Sequence, residues 1–184
     1  DEAAFYGPKL DIQYKNVFGK EDTLVTIQID MLLAEKYGME YVDADGTKKT
    51  PYIIHRTSLG CYERTLAYLI EKYAGWLPVW MAAEQARILP ISDSHIDYAY
   101  EVKDKLTKMG FRVEVDDRSE KIGKKIREAN KDKIQYMLVV GDQEVADKTV
   151  AVRAHFEGDM GTMPVDDFAS KLNEIVDNKV RHDV

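Results

Sequence analysis

A single cysteine, Cys61, is the only thiol in the 184-residue chain. One thiol cannot close an internal disulfide and, with no Cys cluster around it, builds no metal knuckle. A reducing, cytoplasmic setting is therefore the expectation. Long apolar runs are also missing, and none approaches the roughly 20 residues that a membrane-spanning helix needs. The chain opens Asp-Glu-Ala-Ala, without a basic stretch ahead of an apolar one, so no secretory leader is legible. It does not start with methionine, which is what a piece of a longer protein would show. There is no internal repeat, no low-complexity stretch, no phosphate-cradling glycine loop of the P-loop type, no Ser-His-Asp pattern and no credible pair of catalytic carboxylates.

Positive charge is in short supply as well: 26 Lys and Arg stand against 33 Asp and Glu, a net charge of −7. The sum argues against a nucleic-acid partner, because phosphate contacts need Lys and Arg. The distribution argues the other way. Residues 118–133 hold seven basic side chains (Arg118, Lys121, Lys124, Lys125, Arg127, Lys131, Lys133) and three acidic ones. The chain is acidic with one basic ridge.

With 45% hydrophobic and 32% charged residues, the composition is that of a soluble globular protein of one large or two small domains. The first part reads as antiparallel. Thr23–Asp30 alternates and is rich in β-branched residues. Asp45-Gly46 signals a hairpin turn, and Pro51–His55 reads as a second strand. From Leu59 to Tyr73 apolar residues recur at helical spacing and predict one buried stripe, with Gly75 ending the helix. Residues 76–83 form an apolar connector with two Trp that calls for a packing surface.

From about residue 86 the pattern changes to alternating strands and helices. Strands are expected at 86–91, 111–115, 135–140 and 149–153, and helices from Asp93 or Ser94 to Met109, from Glu120 to Lys131 and from Pro164 to Val176. The run 135–140 is apolar throughout, as in a strand covered on both faces. The fold class expected is α/β (α+β overall), with an antiparallel fragment over 1–83 and a mixed-sheet α/β domain over 84–184.

Several motifs occur in order: Phe5-Tyr-Gly-Pro-Lys-Leu-Asp11, Thr26-Ile-Gln-Ile-Asp30, His55-Arg-Thr-Ser-Leu-Gly-Cys-Tyr-Glu-Arg64, Asp117-Arg-Ser-Glu-Lys-Ile-Gly-Lys-Lys-Ile-Arg127, Tyr136-Met-Leu-Val-Val-Gly-Asp142 and Val150-Ala-Val-Arg153. Together they resemble the threonyl-tRNA synthetases of class II along essentially the whole chain. The resemblance implies the C-terminal part of a class II catalytic domain, including its third motif, followed by an anticodon-binding domain. The first two class motifs are expected upstream. The activity implied is threonine–tRNA ligation, which consumes ATP, with Mg2+ and Zn2+ as metals, tRNA(Thr), threonine and ATP as partners, and a homodimer as the complete enzyme.

Residue by residue, the resemblance gives catalytic roles to Arg64, Lys9 and Gln28. It places Tyr6 in the pocket for threonine and adenylate, and Cys61 beside it. An arginine suits ATP because it stays charged and forks onto phosphate. His55 matches one of three zinc ligands, the other two being expected upstream, so zinc is not expected to be held by this chain. Zinc with three protein ligands leaves a position for substrate, and a Lewis acid tells an amino alcohol from isosteric valine better than packing does. Arg118, Ser119, Lys121, Arg127, Glu144 and Arg153 match residues that hold or read the anticodon loop.

Three positions depart from the family pattern. Thr23 replaces a glutamine on the ATP side, Ser119 stands where Asn is frequent, and Ala83-Glu84-Gln85 replaces a Pro-Val-Gln-like junction. His95, His155 and His182 receive no role. Without the resemblance, His55 reads as a hydrogen-bonded core histidine, Arg64 as a helix-face charge and the basic helix as a solvated face. A free-standing RNA-binding module descended from a synthetase is the alternative function. A prolyl- or histidyl-type enzyme is disfavoured by the Tyr-Gly-Pro-Lys, Thr-Ile-Gln-Ile-Asp and His-Arg sets.

Overall fold

The computed structural model describes residues 3–181; His182 lies outside them. The chain divides into two compact units, Asp1–Lys72 and Tyr73–Val184.

The first unit is built on three antiparallel strands in the order β1-β2-β5, with β1 at Lys9–Lys15, β2 at Glu21–Asp30 and β5 at Ile53–Arg56. Its register aligns Lys9 with Gln28 and Gln28 with His55. Between β2 and β5 lie a one-turn helix, α1 (Leu33–Lys36), and a two-stranded ribbon of β3 (Tyr41–Val42) and β4 (Lys48–Lys49). The Asp45-Gly46 turn closes this ribbon, Gly46 having φ +80°. The turn signal therefore marks a local hairpin, and not the joint between β2 and β5, because two residues of turn can connect only strands adjacent in the chain.

Helix α2 (Tyr62–Lys72) follows β5. Its apolar stripe is not buried as the spacing predicts: Tyr62 is 78% exposed, Leu66 51% and Ile70 48%. The helix instead meets the sheet through Tyr68, whose ring centroid lies 4.3 Å from that of Tyr14. The turn leading into it is fixed by Gly60 at φ +66°. A Cβ there would sit 2.1 Å from the Leu24 carbonyl oxygen, so only glycine fits. Leu24 is the extra residue of a bulge in β2, since Ile12 pairs with Val25 and Gln13 with Thr23.

The second unit is a five-stranded mixed sheet in the order β10-β9-β8-β6-β7. Here β6 is Ala86–Pro90, β7 Val113–Val115, β8 Tyr136–Val140, β9 Thr149–Ala154 and β10 Gly158–Pro164. β6 runs parallel to β7 and β8, and the remaining pairs are antiparallel. Helices α3 (Ile96–Lys108) and α6 (Val165–Asp177) cover one face, where Ile88, Leu138 and Val152 meet Val102, Leu106 and Phe168. Helix α4 (Ile122–Lys131) covers the other face, with Ile122, Ile126 and Ala129 against Leu89, Met137 and Val139. The apolar run of β8 is thus covered on both sides, as its composition predicts.

Sequence reasoning missed β1, α1 and the ribbon strands β3 and β4 in the first unit, and α5 (Asp142–Asp147) and β10 in the second. Gly-Asp-Met-Gly-Thr-Met carries almost no β-branched signal, and β10 is an edge strand with a register shift between Asp159 and Gly161. Ser92, and not Asp93 or Ser94, precedes the 3-10 turn Asp93–His95 that leads into α3, and it shares hydrogen bonds with His95.

The connector belongs to the second unit. Trp76 stacks on His155 at 3.5 Å, with the Lys133 ammonium 4.8 Å from its ring centroid. Gln85 donates to the Val79 carbonyl and accepts from the Arg112 N–H. Arg112 in turn donates to the Ala82 and Trp80 carbonyls. Desolvation, then the Lys133 charge, holds the His155 imidazole below its usual value.

The basic ridge is thinner than the sequence suggests. Lys125 is buried, donating at 3.0 Å to the Pro90 carbonyl and at 2.9 Å to that of Asp116. Its ammonium ties the ends of β6 and β7 together, where a buried cation costs least because it is hydrogen-bonded.

Two outcomes follow for stability. Lys125→Ala leaves two inward carbonyls unpaired and lowers the unfolding free energy by about 3 kcal/mol. Lys124→Ala, which removes only an exposed pair with Glu120, costs under about 1 kcal/mol. Urea titration of both variants measures the contrast. The unfolded chain also takes up a proton before folded His155 does. Stability is therefore complete above the usual imidazole range and falls as pH drops through it. His155→Phe flattens that segment of the stability–pH curve.

Candidate functional site

In the first unit the antiparallel register sets the chemistry. Lys9, Gln28 and His55 form one cross-strand row over β1, β2 and β5, and directly opposed residues share a face of the sheet. The Gly-Pro turn ahead of β1 brings Tyr6 onto the row, where its hydroxyl donates to Gln28 Oε1 at 2.6 Å. Gly7 lies so close to Ile29 that a Cβ would sit 2.0 Å from its carbonyl oxygen. That close approach is what lets Tyr6 reach the sheet.

Lys9 pairs with Asp11 at 2.7 Å, and Asp11 also accepts from Thr26 Oγ1 at 2.7 Å. Those two partners, Lys9 first, hold the Asp11 carboxyl below its usual range. His55 Nε2 lies 3.1 Å from Oδ2 of Asp30, a carboxylate with no exposed surface. The face is therefore a polar surface that carries four sequence-expected residues, Tyr6 bonded to Gln28, Lys9 to Asp11 and His55 to Asp30. Asp11 and Asp30 were given no role from sequence, although an aspartate ending an alternating strand is a chemical anomaly that has to find partners.

Arg64 and Cys61 stand elsewhere on the sheet. Arg64 Nη1 donates to the Thr23 carbonyl at 2.9 Å, beside the bulge, and Cys61 Sγ accepts from the Arg64 N–H at 3.3 Å. Thr23 and Gln28 are five residue steps apart on β2, about 17 Å of strand. The position where Thr23 departs from the family pattern thus holds Arg64 through its main chain, which any residue can supply. Among the described residues no group of three or more His, Cys, Asp and Glu is arranged to hold a metal. His55 offers one imidazole donor.

In the second unit four of the expected RNA-facing residues, Arg118, Ser119, Lys121 and Arg127, gather around the start of α4. A cavity of about 540 Å3 is lined by Arg118, Ser119, Lys121, Lys125, Ser92 and Ser94. A neighbouring one of about 760 Å3 shares Ile91 and Lys121 with it and adds Arg127. Arg118 is already engaged. It forks onto Asp116 at 2.8 and 2.7 Å and reaches Glu128 at 2.8 Å, which pushes its guanidinium pKa up and the Asp116 carboxyl down. Lys121, Arg127 and Lys131 form no ion pair among the described residues.

Glu144 accepts from the Gly141 N–H at 3.0 Å, so one carboxylate oxygen closes the start of α5. Arg153 projects from β9, half-exposed and 3.7 Å from Asp159, into a separate cavity of about 270 Å3 that it shares with Asn130, Met137 and His155. Neither Glu144 nor Arg153 is buried beneath the sheet. Buried His95, given no role from sequence, spans from Ser92 to Asp142 at 3.1 and 2.8 Å and ties the loop after β6 to the start of α5.

Comparison with known proteins agrees with this division. A family profile described as tRNA synthetase class II core domain (G, H, P, S and T) matches residues 1–73, and one described as anticodon binding domain matches residues 85–175. The threonine–tRNA ligase of Clostridium perfringens is 62% identical over 172 residues, covering 94% of this chain and 27% of that protein. That of Geobacillus kaustophilus is 49% identical over 179 residues, covering 97% and 28%. A crystal structure of the RNA binding domain of threonyl-tRNA synthetase from Cryptosporidium parvum Iowa II superimposes with a TM-score of 0.82 at 35% identity, covering 95% of this chain and 44% of that one. The chain spans about a quarter of the length of the curated relatives it matches. It belongs to the threonyl-tRNA synthetase family of class II, as a segment of the class II core domain followed by an anticodon-binding domain.

Proposed function

We propose that the chain is the carboxy-terminal part of a threonine–tRNA ligase, with residues 1–83 supplying one wall of the active site and residues 84–184 gripping the anticodon loop of tRNA(Thr). The observation that carries this reading is the row Lys9–Gln28–His55 with Arg64 held about 17 Å along the same strand. An aminoacyl-adenylate is long and polar, with an amino acid at one end and a nucleotide at the other. The row suits the first end and the guanidinium the second.

Each side chain has a role that its geometry supports. Tyr6 and Gln28, already hydrogen-bonded to each other, present a preorganised donor and acceptor beside the amino acid. Lys9 places positive charge next to where the carboxylate is activated. Arg64 has further N–H groups to direct at phosphate while Nη1 anchors it to Thr23. Cys61 sits next to Arg64 and shapes its turn. ATP and Mg2+ belong to this reaction. Zn2+, when bound with His55 as one of its ligands, supplies a Lewis acid that selects the amino alcohol. Rate enhancement on such a wall comes from positioning and charge stabilisation.

In the second half, Lys121 and Arg127 offer charge to the RNA backbone, with Arg118 and Ser119 on the same cavity wall. Arg153 is placed to fork onto a base edge, and the free oxygen of Glu144 to accept from a base amino group. The homodimer and the cytoplasmic location proposed for the complete enzyme come from the family.

Grafting this chain in place of the matching 172 residues of the Clostridium perfringens enzyme should give a protein that charges tRNA(Thr) with threonine. His55→Ala and Arg64→Ala in that chimaera should each lower kcat/KM by about 100-fold or more. A folded chimaera that forms no threonyl-tRNA would refute the reading. For the RNA half, a tRNA(Thr) anticodon stem-loop should bind more tightly than one with a scrambled anticodon. Lys121→Ala and Arg127→Ala should weaken both loops alike and reduce the salt slope by about 0.7 each. Arg153→Ala should cost about 1–3 kcal/mol on the cognate loop alone. Equal binding of the two loops by the unmodified chain would reduce the interaction to electrostatic attraction.

A further inference from the structure

Asp30 ends β2 with its carboxylate fully buried. Oδ1 accepts the N–H groups of Leu32 and Leu33, both at 2.9 Å, and Oδ2 faces His55 Nε2 at 3.1 Å. Oδ1 is taken up by two backbone donors, which leaves Oδ2 as the acceptor that faces the imidazole. The imidazole nitrogen facing it must carry a proton.

Gln28 pairs with His55 across the strands, and the Tyr6 ring packs edge-on against the imidazole at 6.2 Å. Nδ1 has no hydrogen bond among the described residues, and the side chain is 46% exposed. A histidine that donates one N–H to a carboxylate and leaves the other nitrogen bare is arranged as a ligand, because the carboxylate fixes both tautomer and ring direction.

We propose that Asp30 is a positioning residue that holds His55 as the Nε2–H tautomer, so that Nδ1 is the lone pair this chain presents to a Lewis-acidic cation. The cation's identity rests on the synthetase reading; the tautomer and its cause rest on Asp30 alone. The two backbone N–H groups at Oδ1 dictate what an amide would do in the same place. In Asp30→Asn the oxygen stays with Leu32 and Leu33, and the NH2 group takes the position of Oδ2. It then donates to Nε2, which must give up its proton, and the proton moves to Nδ1.

The test is long-range 1H–15N correlation on the chain labelled with 15N-histidine, with the rings neutral and His55 assigned by its loss in His55→Gln. The unmodified chain should show Nε2 protonated and Nδ1 bare, and Asp30→Asn the reverse. A protein in which Asp30 only stabilises the β2 end would keep its tautomer on substitution. The proposal is overturned by an Nδ1–H ring, or by the mixture typical of free imidazole, in the unmodified chain. It is equally overturned by a folded Asp30→Asn that retains Nε2–H. If Asp30→Asn does not fold, the unmodified spectrum decides alone. A chimaera that charges no tRNA while both tautomers appear as stated would sink the synthetase reading and leave this one standing.

Discussion

A sheet that carries polar chemistry on one face must satisfy every buried donor and acceptor there, and strand register decides whether it can. On β1-β2-β5 that register is the constraint on which the first unit depends. A slip of one residue in β2 would turn Gln28 to the opposite face and bring Ile27 and Ile29 in its place. The hydrogen bonds Tyr6–Gln28, Thr26–Asp11 and His55–Asp30 would go together. Two backbone approaches that only glycine permits, Gly7 on Ile29 and Gly60 on Leu24, pin the same strand from either end. The Gly60 approach falls on the bulge residue Leu24 itself, next to the Arg64 anchor at Thr23. Glycines, bulge and polar row thus act as one device, with the guanidinium and the imidazole as its outputs.

The second unit solves a different problem. Its sheet is covered on both faces, so most of the side chains proposed to meet RNA come from loops and helices, with Arg153 on β9 the exception. Lys125 shows how thoroughly the fold uses charge internally: a residue counted on the basic ridge is spent on two carbonyls. Arg118 is half spent in the same way on Asp116 and Glu128. What remains unengaged is a smaller set of cations beside cavities than the sequence suggests. A chain of net charge −7 can therefore still offer a local anion-binding surface.

Much of this architecture was legible from residue pattern. The alternation of 23–30 and the apolar run of 135–140 announce β2 and β8, and the spacing of Ile122, Ile126 and Ala129 gives the inner face of α4. Other features were not local. The Asp-Gly signal gave a turn but not which strands it joins. β10 has a single β-branched residue, Thr162, and no clear alternation, and it is held by its antiparallel pairing with β9. The α2 stripe was read correctly as a periodicity, yet Tyr62, Leu66 and Ile70 stand exposed, because a pattern states which face is apolar and not what covers it. Within the site, motif identity marked Tyr6, Lys9, Gln28 and His55. Asp30 became legible only once the register of β2 against β5 and the two N–H groups past its end were in view.

The account's central claim is that one strand carries both ends of an adenylate site. A crystal structure of the chimaeric ligase with a non-hydrolysable threonyl-adenylate analogue tests it most directly. The account predicts the threonyl end over Gln28 and His55, within hydrogen-bond reach of Tyr6, and the nucleotide end against the Arg64 guanidinium. An analogue bound with His55 and Arg64 both out of contact would contradict it.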